Sequence, residues 1–166
     1  MTREKIEEAL RLGDIKLERP NARDPTFLDD IRLGLHMAQM VETPGEEVDL
    51  QKPSQLVSAG HVTPSTHFLP ARTYYFLSEE KLSLSGEYAA LIQTRSKFAR
   101  LGIELAGSSL FVIPGFGLTV PTHLVLETRF DRPTVGLSPE KALGYLLIFK
   151  VDPVEVSRKD YAARLP

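Results

Sequence analysis

Hydrophobic and polar positions alternate along this chain in two distinct periods. Residues 2–12 repeat at helical spacing. Ile6, Ala9 and Leu10 fall on one face, Thr2 can cap the start, Glu4 suits the first turn and Gly13 can end it. The period then shortens to two. Ile15 and Leu17 predict a short strand, and the two prolines in 20–25 predict a loop. From 31 to 37 the alternation is clear, with Ile31, Leu33, Leu35 and Met37 on one face of a half-buried strand. Residues 43–64 are polar, with several Pro and Gly, and read as a long connection with little regular structure. Strands are expected over 68–77, with a turn near Pro70 and Ala71, then around Leu82 and Leu84, and over 88–93.

After a short helical turn, 110–113 is an apolar run stopped by Pro114-Gly115, and 118–120 reads as a short edge. The stretch 123–130 places Leu124, Leu126, Thr128 and Phe130 on one face, with Val125 and Glu127 on the other. The last strong strand is 143–151. Many short strands with frequent turns predict an all-β barrel or sandwich. No repeat or linker divides the chain, so 1–166 reads as a single domain.

The 166 residues suffice for a sizeable core, and 42% hydrophobic with 25% charged residues fits a soluble globular protein. No apolar run reaches membrane-span length and the N-terminus has no signal-like core, so a cytoplasmic location is expected. A net charge of −2 argues against broad nucleic-acid binding, though local arginines can still hold a phosphorylated ligand. Cysteine is absent, which removes disulfides, thiol nucleophiles and the zinc deaminases that need Pro-Cys-x-x-Cys. His36, His61, His67 and His123 have no metal-ligand spacing and read as surface or turn residues. The lone Asn21, the few glutamines and the missing cysteine hint at a thermophilic source.

The chemistry concentrates between Thr94 and Gly102. A strand leads into a helical turn there, and Gly102 can end it in a left-handed conformation. Arg95 and Ser96 lie at the helix start, where free N–H groups favour an anion, and Arg100 adds a second cation. The competing reading is a Ser-capped turn with two solvated arginines.

Arg95-Ser96-x-x-Ala99-Arg100-Leu101-Gly102 resembles the Arg-Ser-Ser-Leu-Ala-Arg-Leu-Gly signature of the dCTP deaminase and trimeric dUTPase superfamily. The likeness continues in family order. Asp30-Ile31-Arg32-Leu33-Gly34 is similar to a strand near the family's N-terminus, and Pro114-Gly115-Phe116 to its Asp-Pro-Gly-aromatic turn. Leu124-Val125-Leu126-Glu127 is similar to its Ile-Val-Leu-Glu strand, and 142–149 to its closing strand. The resemblance is closest to the dCTP deaminase branch. It implies a mainly β, distorted β-barrel of the dUTPase-like (β-clip) kind, with one N-terminal helix and a short internal helical turn. It also implies a homotrimer with sites between subunits, a deoxynucleoside triphosphate substrate (dCTP or dUTP) carrying Mg2+, and deamination without zinc. On the matching positions it implies Glu127, Arg100 and Ser96 as catalytic. It implies Arg95, Lys97, Ser109, Phe116 and Tyr161 as substrate contacts, with the ring of Phe116 against the deoxyribose. Glu127, on a strand face shared with apolar residues, suits proton shuttling. Its competing reading is a structural ion pair with Arg100 or Arg129, and that of Phe116 is a turn residue packed on the core.

The chain departs from the pattern at four points. Ile113 replaces the acidic residue before Pro-Gly, which in the dUTPases positions the attacking water. Lys97 replaces the second serine. The loop 117–122 is longer. The chain stops at Pro166, leaving Lys159, Tyr161 and Arg164 as a shortened form of the family tail. The leading expectation is hydrolytic deamination of dCTP to dUTP and ammonia. The alternatives are a dUTP diphosphatase, weakened by Ile113, and an inactive nucleotide-binding trimer.

Overall fold

The computed structural model describes residues 1–19, 24–42, 57–106 and 110–155. The chain begins with α1 (Arg3–Leu12), which buries Ile6 and Ala9 and ends at Gly13 with φ +82°. Thr2 occupies the N-cap position, but its side chain makes no capping hydrogen bond. Eleven strands follow among the described residues: β1 (Ile15–Glu18), β2 (Phe27–Asp29), β3 (Arg32–Leu35), β4 (Met37–Glu42), β5 (Val57–His61), β6 (Thr73–Leu84), β7 (Tyr88–Thr94), β8 (Ile103–Leu105), β9 (Phe111–Val112), β10 (Thr122–Phe130) and β11 (Gly144–Lys150). Between β7 and β8 lies the single turn α2 (Ser96–Ala99).

The strands form two antiparallel sheets. One runs β5-β4-β6-β10-β8, with β1 also on β6, and the other runs β2-β3-β11-β7-β9. The expected barrel is thus an open one, because the described strands do not close into a ring. Period-two alternation is what builds the core. Phe76, Leu82, Leu84, Leu124 and Leu126 from the first sheet meet Leu33, Leu35, Ile92, Leu146 and Ile148 from the second. Phe68 stacks on Phe130 at 4.5 Å and meets Tyr74 and Phe76 edge-on, closing one end of the core.

Several sequence expectations change. The strand expected over 31–37 is two strands, β3 and β4, broken at His36, and Ile31 is 45% exposed while Leu33, Leu35 and Met37 are buried. The break has a cause. Glu80 of β6 accepts the backbone N–H of His36 at 2.8 Å and meets its imidazole Nδ1 at 2.6 Å, so the backbone turns toward that carboxylate. His36 is therefore a buried histidine rather than a surface one. Part of the connection expected over 43–64 is strand β5, paired with β4; residues 43–56 lie outside the described set. The strands expected near 68–77 and 82–84 are one long strand, β6, whose pairing with β10 slips between His123 and Val125.

The edge expected at 118–120 is instead a turn region, because Gly115 (φ +81°) and Gly117 (φ +61°) reverse the chain. A Cβ on Gly117 would lie 2.2 Å from the Leu82 carbonyl oxygen. Gly117→Ala is therefore expected to cost about 1–3 kcal/mol from the left-handed backbone alone, with the clash added. Thermal unfolding should register a drop of several degrees, and an unchanged melting temperature would contradict this packing.

The outer face of the second sheet is apolar. Leu91 pairs with Leu147 and Phe111 in register, and the Phe111 and Phe149 rings lie 6.0 Å apart. Leu91, Phe111 and Ile113 are exposed.

Candidate active site

Strand β7 leads directly into the turn that carries most of the expected site residues. Arg95 takes the N-cap position with extended backbone (φ −66°, ψ 133°), so Ser96 is the first helical residue and not the cap, and no side chain caps the turn. This corrects the Ser-capped reading. Phe98, buried, anchors the turn in the core. Gly102 leaves it at φ +72°, as its position predicts, and a Cβ there would meet the Asp131 Cβ at 2.9 Å. The Asp131 N–H donates to the Gly102 carbonyl at 2.8 Å, which ties the turn to the end of β10.

This anchoring leaves Ser96, Lys97 and Arg100 exposed and Arg95 half-buried. The Arg95 backbone N–H donates to Leu143 O at 3.2 Å, and its guanidinium donates to Ala142 O at 3.3 Å. Among the described residues Arg95, Lys97 and Arg100 form no ion pair. Three cations on one turn without carboxylate partners can meet an external polyanion.

Glu127 sits mid-strand on β10, half-buried, on the face that its alternation predicts. Tyr75 of β6 lies opposite it in register, and the Glu127 backbone oxygen accepts from Ala106 N at 2.8 Å. Its carboxylate has neither a hydrogen bond nor an ion pair among the described residues. The expected arginine partners are engaged differently: Arg129 donates to Thr73 Oγ1 at 3.4 Å, and Arg100 is exposed. Glu127 instead borders a small cleft of about 10 Å3 with Ile92, Leu105, Ala106, Leu110, Val125 and Leu126. That is room for about one water. Glu127 is the one ionisable residue among the described residues that line it.

Phe116 lies in the turn closed by its N–H to Ile113 O at 3.2 Å, and it is half-buried against the core. Ile113 beside it is 47% exposed and offers no charge. Ser109 and Tyr161 lie outside the described residues. The fold thus gathers Arg95, Ser96, Lys97 and Arg100 on one turn. No hydrogen bond or ion pair joins them to Glu127 within one chain.

Sequence reasoning missed two polar groupings. One is the buried cluster of His36, Glu79 and Glu80, whose ligand atoms lie within 4.8 Å of one another. Arg19 already supplies a cation there, with its Nε 2.8 Å from Glu79 and 3.7 Å from Glu80. The available signal was the adjacent pair Glu79-Glu80 inside a strand. The other is the cross-strand pair Tyr145–Gln93, with the phenol donating to Gln93 Oε1 at 2.7 Å. Only strand register could have revealed it.

Comparison with known proteins places these features in context. A family model described as dCTP deaminase-like matches residues 1–151. A protein of Methanoculleus marisnigri named as a dUMP-forming dCTP deaminase is 32% identical over 153 residues, covering 89% of this chain and 78% of that one. The 2′-deoxycytidine 5′-triphosphate deaminase of Agrobacterium tumefaciens superposes with a TM-score of 0.58 at 16% identity, over 92% of this chain. The present chain spans about half of that protein, 47% of its length. A point mutant of the dUTPase of Staphylococcus bacteriophage 80alpha, with dUpNHpp, superposes with a TM-score of 0.54 at 11% identity, over 88% of this chain and 96% of that one. The two solved structures establish a shared, dUTPase-like fold.

Proposed function

The chain belongs to the dCTP deaminase-like family, and from that premise we propose that it deaminates dCTP to dUTP and ammonia. The observation that carries this reading is Glu127, which lines a cleft with room for about one water and whose carboxylate has no hydrogen-bond or ion-pair partner among the described residues. A carboxylate so placed can take a proton from water as the oxygen attacks C4 of cytosine, and can then return protons to the departing ammonia. Arg100 and Ser96 would orient that water and the base. Arg95 and Lys97 would hold the triphosphate, and Phe116 would pack against the deoxyribose, as Ser109 and Tyr161 would contact substrate.

Magnesium would arrive with the nucleotide. The side chains assigned to the triphosphate are cationic and offer Mg2+ no ligand, so its ligands would be phosphate oxygens and water. The reading includes a homotrimer with sites between subunits. Two observations support it: the exposed apolar face of Leu91, Phe111 and Ile113 is the kind of surface that subunit contacts cover, and among the described residues no hydrogen bond or ion pair joins Glu127 to the Arg95–Arg100 turn in its own chain.

A second reading adds hydrolysis of the triphosphate. The name of the Methanoculleus relative favours it, and the uncharged Ile113 opposes it. Purified protein with Mg2+ should release ammonia from dCTP. Pyrophosphate release from dCTP or dUTP would establish the second reading. Tight nucleotide binding with neither product would identify a binding protein and end both.

A further inference from the structure

The outward face of β7 carries Ala89, Leu91 and Gln93, and the extended backbone at Arg95 continues the same alternation. Gln93 and Arg95 therefore lie on one side of the strand end, with Thr94 turned away to accept from Leu105 N at 2.7 Å. Gln93 is exposed, and exposed glutamines ordinarily keep their rotamer freedom. This one is braced. Tyr145, opposite it in register on β11 and only 8% exposed, donates its hydroxyl to Oε1 at 2.7 Å. The Tyr145 ring lies beneath the Arg32 guanidinium at 4.9 Å. Arg32 is fixed in turn by its ion pair with Asp29, and that contact holds the Asp29 carboxyl below its ordinary range.

A brace ending on Oε1 leaves the amide Nε2 pointing its two N–H groups elsewhere, and no acceptor meets them among the described residues. Two neutral donors beside a guanidinium that spends one hydrogen bond on Ala142 O form a donor-only set. Such a set suits an oxygen-rich anion that only accepts.

We propose that Gln93 is a further substrate-positioning residue, donating its side-chain amide to a phosphate of the bound nucleotide beside Arg95, with Tyr145 and Arg32 holding that amide in place. This rests on the reading that the Arg95–Arg100 turn meets the triphosphate. The bland account is a cross-strand Tyr–Gln pair that stabilises the sheet.

The full chain should be titrated calorimetrically with sodium tripolyphosphate and with dCTP, alongside Gln93→Ala, Gln93→Glu and Tyr145→Phe, with a melting temperature for each. Gln93→Ala is expected to weaken both ligands about 5–10-fold. Gln93→Glu should weaken them further by placing an acceptor against phosphate, and Tyr145→Phe should fall between. In the ammonia assay KM should rise with kcat within about twofold. Unchanged affinities with a lowered melting temperature would overturn the assignment in favour of the cross-strand pair. Wild type that binds neither ligand would overturn the phosphate reading of the turn itself, and the Gln93 assignment with it.

Discussion

Glu127→Gln is expected to reduce ammonia release from dCTP by about 10²–10⁴-fold, which corresponds to about 3–5 kcal/mol of transition-state stabilisation. The amide keeps the volume and one acceptor oxygen, but it cannot take up a proton and return it. The effect should lie in kcat. Glu127 lines a cleft that admits about one water, and among the described residues its carboxylate makes no hydrogen bond or ion pair that would tie it to the fold, so its loss should not disturb folding or nucleotide affinity. Two measurements decide the matter together: steady-state ammonia production, and a dCTP titration of the variant. Near-normal affinity with little turnover supports the role in proton transfer. Full turnover in the variant would remove Glu127 from the mechanism. Loss of binding together with loss of folding would identify it as a structural residue.

Glu80→Ala should have the largest effect on stability. Glu80 is 2% exposed and accepts from the His36 backbone N–H at 2.8 Å. The His36 imidazole lies 2.6 Å away and Arg19 Nε 3.7 Å away. Its own backbone oxygen accepts from the Ser78 hydroxyl at 2.6 Å, and that hydroxyl oxygen accepts from Leu124 N at 2.8 Å. The carboxylate therefore joins β6 to the β3–β4 corner, with Arg19 adding the end of β1. Removing it leaves a buried N–H and imidazole without an acceptor and the half-buried Arg19 cation short of one partner. The expected cost is about 3–5 kcal/mol. For a domain of this size that is a fall in melting temperature of roughly 6–20 °C. Glu80→Gln keeps an acceptor for the His36 N–H and should lose distinctly less. A Glu80→Ala protein that melts within a degree or two of wild type would show that the network contributes little.

Strand β10 was legible in the sequence because its alternation is strict and Asp131-Arg132-Pro133 ends it; its buried and exposed positions fall where the pattern puts them. Helix α1 and the left-handed exit at Gly102 were legible for similarly local reasons, an amphipathic stripe and a glycine where φ must be positive. The break at His36 was not, because its cause is a carboxylate 44 residues along the chain. Nor was the continuity of β6, which depends on partner strands that accommodate a slipped register. The cationic turn could be read from its motif. That Glu127 has no arginine partner among the described residues could not, since strand spacing places a side chain on a face without saying what stands opposite.

The sequence by itself determined the mainly β character, the faces of the longer strands, the turn bearing Arg95, Ser96, Lys97 and Arg100, and membership of the dCTP deaminase-like family. These follow from backbone preferences and side-chain periodicity, which act over a few residues. Only the tertiary structure decided that the described strands form two sheets that do not close into a ring, that His36 is buried against Glu80 rather than at the surface, and that Tyr145 braces Gln93 beside Arg95. Each of those depends on register between strands distant in sequence, where burial and hydrogen-bond satisfaction across the whole core select the pairing that local patterns leave open.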